Sequence, residues 1–110
     1  ERVLPLARKH NVGVVAMKVY GGAAGMKYQH LGPAQMPGRH IADAFRYALT
    51  LPGVATANIG ANSIEEVRHN IRMAKEFQPL SDEQLANLSE QGKELAAEWG
   101  EHYGPVEEKA

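Results

Sequence analysis

The chain has 110 residues, 44% of them hydrophobic and 23% charged, the balance of one ordinary globular domain rather than two domains or a disordered tail. Twelve basic and thirteen acidic residues leave a formal net charge of −1, so no long-range field draws the chain to nucleic acid or to an anionic membrane. Cysteine is absent, which excludes disulfides, thiolate metal centres, iron–sulfur clusters and a cysteine nucleophile, and which suits a reducing, cytoplasmic setting. No apolar run approaches the ~20 residues of a membrane-spanning helix. Glu1 reads as a cut within a longer protein, because Glu1-Arg2-Val3-Leu4 resembles the middle of a helix.

Residues 1–10 read as the end of a helix, with apolar Val3, Leu4 and Leu6 ahead of basic Arg8, Lys9 and His10. Cations at a helix C-terminus meet its negative end; Pro5 is awkward in a helix interior, so the helix begins near it. Residues 12–17 are a short, partly β-branched apolar run, the pattern of a strand covered on both faces in a parallel sheet. Residues 18–38 contain Gly21, Gly22, Gly25, Gly32, Pro33, Pro37 and Gly38. A loop of that length is usually functional or disordered.

A helix follows at about 39–50, where Ile41, Ala44, Phe45, Ala48 and Leu49 form one apolar stripe. Leu51-Pro52-Gly53 stops it, and 54–59 read as a second strand. A third helix runs from Ser63 to about Phe77, with Ile64, Val67, Ile71 and Ala74 on one face, and Pro79 ends it. The last helix runs from Ser81 to about Gly100, with Leu85, Leu88, Leu95 and Trp99 along one side, and 101–110 read as a frayed polar tail. Ser63 with Glu66 and Ser81 with Gln84 match the capping box, in which each side chain bonds the other residue's backbone N–H.

Alternating strands and helices imply parallel pairing with crossover helices. Two strands alone cannot bury a sheet, so the expected fold is an α/β C-terminal fragment of a (β/α)8 barrel, contributing about two of its eight units. In such folds ligands bind beyond the carboxyl ends of the strands. Those ends are Met17-Lys18-Val19-Tyr20-Gly21-Gly22 and Ile59-Gly60-Ala61-Asn62. The second opens directly into a helix, which makes either an anion site of free N–H groups or an ordinary turn with a serine cap. Lys18 could bind a phosphate, form a Schiff base if dehydrated, or simply reach into solvent. Tyr20 and Tyr28 either close over a ligand or anchor the loop. The five histidines show no metal-binding spacing.

The stretch VGVVAMKVYGG, the glycine-rich loop and LPGVATANIGANSIEEVRHNIRMAKEFQPLSDEQL together resemble the C-terminal part of aldo-keto reductases, and Phe77-Gln78-Pro79-Leu80-Ser81 fits that family's segment after the last barrel helix. The resemblance covers nearly all of residues 1–100. It implies a (β/α)8 barrel that reduces an aldehyde or ketone with NADPH or NADH. It also implies that the catalytic Asp, Tyr, Lys and His lie upstream, in the rest of the barrel, so that this segment supplies cofactor binding. By resemblance, Met17 faces the nicotinamide, where many members stack an aromatic ring. Lys18, Val19, Tyr20, Gly21 and Gly22 approach the pyrophosphate. Gly60, Ala61 and Asn62 receive the adenosine phosphate, Glu66 lies by the ribose 2′-position, and Asn70 bonds the adenine. Glu66 stands where NADPH-preferring members often carry Arg. Two other readings remain at this level: an aldolase or transaldolase acting through Lys18, and a non-catalytic subunit that binds the cofactor.

Overall fold

The computed structural model describes residues 2–21 and 36–99. Gly22 and the tail 101–110 lie outside the described residues, as does Tyr28.

Helix α1 (Val3–Lys9) carries Pro5 in its first turn, where a missing N–H costs nothing. It stops at Asn11, which takes a left-handed φ of 54°. Around it, the Val12 N–H donates to the Ala7 carbonyl at 2.8 Å and the Asn11 N–H to the Arg8 carbonyl at 3.1 Å. These are the paired bonds of a Schellman cap, with asparagine in the place glycine usually fills. Strand β1 (Val14–Met17) then pairs in parallel with β2 (Val54–Asn58). The register runs Val14 to Val54, then Val15 to Thr56, Ala16 to Ala57 and Met17 to Asn58. Ala55 is therefore an extra residue, a bulge that breaks the alternation of β2: Ala55 and Thr56 are both exposed, and Ala57 turns back inward.

The connection between the strands ends in a 3-10 turn, Gly38–His40, that leads into α2 (Ile41–Thr50). Helix α2 lies against β2. Its Phe45 is buried and meets Phe77 edge to face, with ring centroids 6.5 Å apart and planes at 82°. The segment after α3 (Ile64–Lys75) is pinned to the end of α2 by side chains. Thr50 Oγ1 donates to the Arg46 carbonyl at 2.7 Å and accepts from the Leu80 N–H at 3.0 Å, while Arg46 Nε donates to the Gln78 carbonyl at 3.2 Å. Leu80, the other buried apolar side chain among the described residues, is seated by that clamp. Helix α4 (Asp82–Trp99) starts from a complete capping box: the Ser81 N–H donates to Gln84 Oε1 at 3.0 Å, and the Gln84 N–H to Ser81 Oγ at 3.2 Å.

The expected fragment of a (β/α)8 barrel is not what the chain forms. The described residues make a small α/β unit of two parallel strands and four helices. Alternation of strand and helix specifies a parallel pair with a crossover helix, a unit common to every parallel α/β architecture. Closure into a barrel additionally needs eight strands with matched tilt and shear, and no local sequence pattern encodes that. The expectation that 12–17 is covered on both faces is corrected as well. Val14 and Ala16 turn inward, but Val15 and Met17 are 54% and 66% exposed. The apolar stripe on α3 forms as the periodicity requires, yet Ile64, Val67 and Ile71 all face out.

Candidate functional site

Parallel pairing sends both strands out at the same edge, with Met17 beside Asn58 as the last paired residues. Lys18–Gly21 follow β1 directly, and Gly60–Asn62 follow β2 two residues after its end. On the β1 side, Lys18 takes a left-handed φ of 53°, a conformation that costs a side-chain-bearing residue roughly 1–2 kcal/mol and that recurs at functional sites. The Gly21 N–H donates to the Lys18 carbonyl at 2.8 Å and closes a turn, which Gly21 completes at φ 85°. The Met36 N–H donates to the Tyr20 carbonyl at 2.7 Å, so the chain that departs at Gly21 is tied to the same turn where it returns.

Along this turn, Met17 and Lys18 are exposed, while Val19, Tyr20 and Gly21 are half-buried. The Tyr20 hydroxyl oxygen is shielded from solvent and has no hydrogen-bond partner among the described residues. Burial pushes that phenol up from its ordinary value of 10.0, because the phenolate would be poorly solvated.

On the β2 side, Gly60, Ala61 and Asn62 are exposed and lead to Ser63, the cap of α3, at φ −144°. Ser63 Oγ accepts from the Glu66 N–H at 3.1 Å, the first half of the expected capping box. The second half is shifted by one residue. Glu66 Oε2 accepts from the Asn62 N–H at 2.6 Å, where the sequence pattern points to the Ser63 N–H. The carboxylate thus lies across the turn that the anion-site reading assigned to a phosphate. The N–H groups of Ile64 and Glu65, in the first helical turn of α3, keep no intrahelical acceptor. Asn70, one turn beyond Glu66, is half-buried. The structure therefore ends both strands at one edge, with residues 18–21 following Met17 and residues 60–62 following β2; Glu66 and Asn70 lie further on, along α3.

A cavity of about 490 Å³ opens beside this edge, between α2 and α4, with Met17 and Val19 in its wall. Its lining includes His40 from the 3-10 turn and Asp43 and Tyr47 from α2, polar positions that sequence reading passed over in favour of the apolar positions of the helix. The signal was available as the spacing 40, 43, 47, which repeats at one to two helical turns. Ala44 and Ala48, from the apolar stripe of α2, also line the cavity.

No protein-family model, curated protein or solved structure matches the chain. Among the described residues, no helix is long and apolar enough to cross a membrane.

Proposed function

We propose that this chain supplies the dinucleotide-binding edge of a nicotinamide-dependent oxidoreductase that reduces an aldehyde or ketone to an alcohol. The barrel implied by the aldo-keto reductase resemblance is not retained. What is retained is the class of cofactor, NADPH or NADH, and the residues that would hold it. The supporting observation is the parallel register that places Met17 beside Asn58. It brings the Lys18–Gly21 turn and the Gly60–Asn62 turn out at a single edge, the place where α/β sheets bind ligands.

The residues present fit the phosphate-bearing half of such a cofactor. Gly60 is exposed, and a Cβ built on it meets no atom within 4 Å, so a phosphate can approach the backbone closely. Lys18 supplies a cation at the strand end, and the Ile64 and Glu65 N–H groups supply donors at the positive end of α3. Met17 offers a polarisable thioether to the nicotinamide in place of a ring. Bound there, the cofactor would donate hydride to the carbonyl carbon. The reading assigns these residues binding and orientation; proton transfer to the carbonyl oxygen would belong to residues of a longer parent protein. A cytoplasmic setting is part of the same proposal, and a sequence without cysteine suits it.

The test is a titration of the full chain with NADPH, NADH and 2′,5′-ADP, followed by two-dimensional amide NMR. Shifts should concentrate at residues 18–21 and 60–66. Gly60→Val adds bulk where nothing is displaced, and should weaken binding about tenfold while leaving the melting temperature alone. Saturation with no shift at this edge, or an unaltered affinity in Gly60→Val, would overturn the assignment.

A further inference from the structure

We propose that the cavity between α2 and α4 is a binding site for a small amphipathic amine, its apolar body between the helices and its ammonium at Asp43. This does not rest on the dinucleotide reading, although the two sites adjoin at Met17 and Val19.

The volume comes first. About 490 Å³ lies within the range of small-molecule pockets. Two features of the sequence keep it open. Ala44 and Ala48 on α2 and Ala96 on α4 put only methyl groups into the walls. Gly92 sits in the interior of α4, where glycine costs about 1 kcal/mol relative to alanine. A Cβ built on Gly92 meets no atom within 4 Å, so tight packing does not demand glycine there. A helix of eighteen residues that carries an unpacked glycine in a cavity wall is paying stability for space.

The polar groups then select the occupant. Asp43 is half-buried in the wall and has no hydrogen-bond or ion-pair partner among the described residues. A carboxylate partly withdrawn from water gains most from a charged donor. Neighbouring charges do not answer it: Arg39 Nε donates to His40 Nε2 at 3.1 Å, and Lys93 Nζ is held by Glu90 Oε1 at 2.6 Å. Tyr47, one turn beyond Asp43 on α2, also lines the cavity, and a tyrosine ring is a group that attracts a cation. The remaining surface is aliphatic, contributed by residues such as Leu51, Leu88 and Leu95, and takes a ring or a short branched chain.

The experiment uses 2-phenylethylamine, with 2-phenylethanol and phenylacetate as neutral and anionic counterparts of one shape. Each is titrated into the full chain and followed by amide NMR. The amine should saturate with shifts along α2 and α4. The alcohol should bind about tenfold more weakly, and phenylacetate more weakly still. Asp43→Asn should bring the amine to the alcohol's affinity. Gly92→Leu fills the cavity and improves the helix; it should abolish binding of both while helical circular dichroism is kept. Equal binding of amine and alcohol, preference for phenylacetate, unchanged affinity in Gly92→Leu, or no saturation by ~10 mM would overturn the proposal.

Discussion

Glu66 sits where two demands on one carboxylate can be separated. Its Oε2 accepts the Asn62 N–H at 2.6 Å, at the positive end of α3. Replacing it with Arg removes that acceptor and puts a cation at the wrong end of a helix. Loss of one half of a cap costs about 0.5–1 kcal/mol, and the reversed dipole interaction adds about 0.3–1 kcal/mol. The sum, about 1–2 kcal/mol, corresponds to a fall of ~4–16 °C in melting temperature for a domain of this size. Glu66→Gln keeps an acceptor and should lose less than half as much. The effect on cofactor choice has the opposite sign. A carboxylate ~4 Å from a 2′-phosphate opposes it by up to ~4 kcal/mol at an effective dielectric near 20. Glu66 is exposed, so screening reduces this to about 1 kcal/mol, or roughly a fivefold change in the NADPH to NADH ratio of affinities. Glu66→Arg should therefore lower stability while raising that ratio at least fivefold. The gain should shrink as salt shortens the screening length from ~10 Å at 0.1 M to ~3 Å at 1 M. Calorimetric titration of both cofactors at two salt concentrations, beside thermal melts, measures both effects. An unchanged ratio with lowered stability would leave Glu66 a cap alone; unchanged stability would refute the Asn62 hydrogen bond.

Phe45→Ala deletes one of the two buried apolar side chains among the described residues and its contact with Phe77; the expected loss is about 3–5 kcal/mol, enough to shift the midpoint of a urea titration markedly downward. Tyr20→Phe removes a hydroxyl with no partner among the described residues, so stability should hold or rise by up to ~1 kcal/mol. Because the folded-state Tyr20 pKa lies above 10.0, its contribution is complete below pH 10 and is lost as pH rises through the higher folded value; denaturation between pH 8 and pH 11.5 should show a decline in wild type that Tyr20→Phe reduces. The outward Val15, Met17, Ile64 and Ile71 should bind a hydrophobic dye or drive concentration-dependent association, and Ile64→Glu with Ile71→Lys should suppress it without lowering the melting temperature. A dye-silent, monodisperse wild-type chain would show that this apolar surface is covered in solution.

Local chemistry was legible in the sequence. Ser63, Ser81 and Gln84 cap helices as their spacing requires, and the 3.6-residue stripes on α2 and α3 appear where periodicity places them. These features are decided within about four residues, where hydrogen-bond donors and acceptors are held close by the chain itself. Parallel pairing was legible for the same reason, since a crossover helix separates the strands. The two strands were legible too; the architecture around them, the bulge at Ala55, the outward face of α3 and the cavity behind Asp43 were not. Each depends on which distant surfaces meet. An apolar stripe states that a face wants a partner but carries no address for it, and the ordering cost of bringing remote segments together is settled only by the whole set of contacts. The one-residue shift of the Glu66 bond, from Ser63 to Asn62, marks the same boundary at small scale. Residue types determined that a carboxylate would cap α3, and the path of the chain leaving β2 decided which N–H it reached.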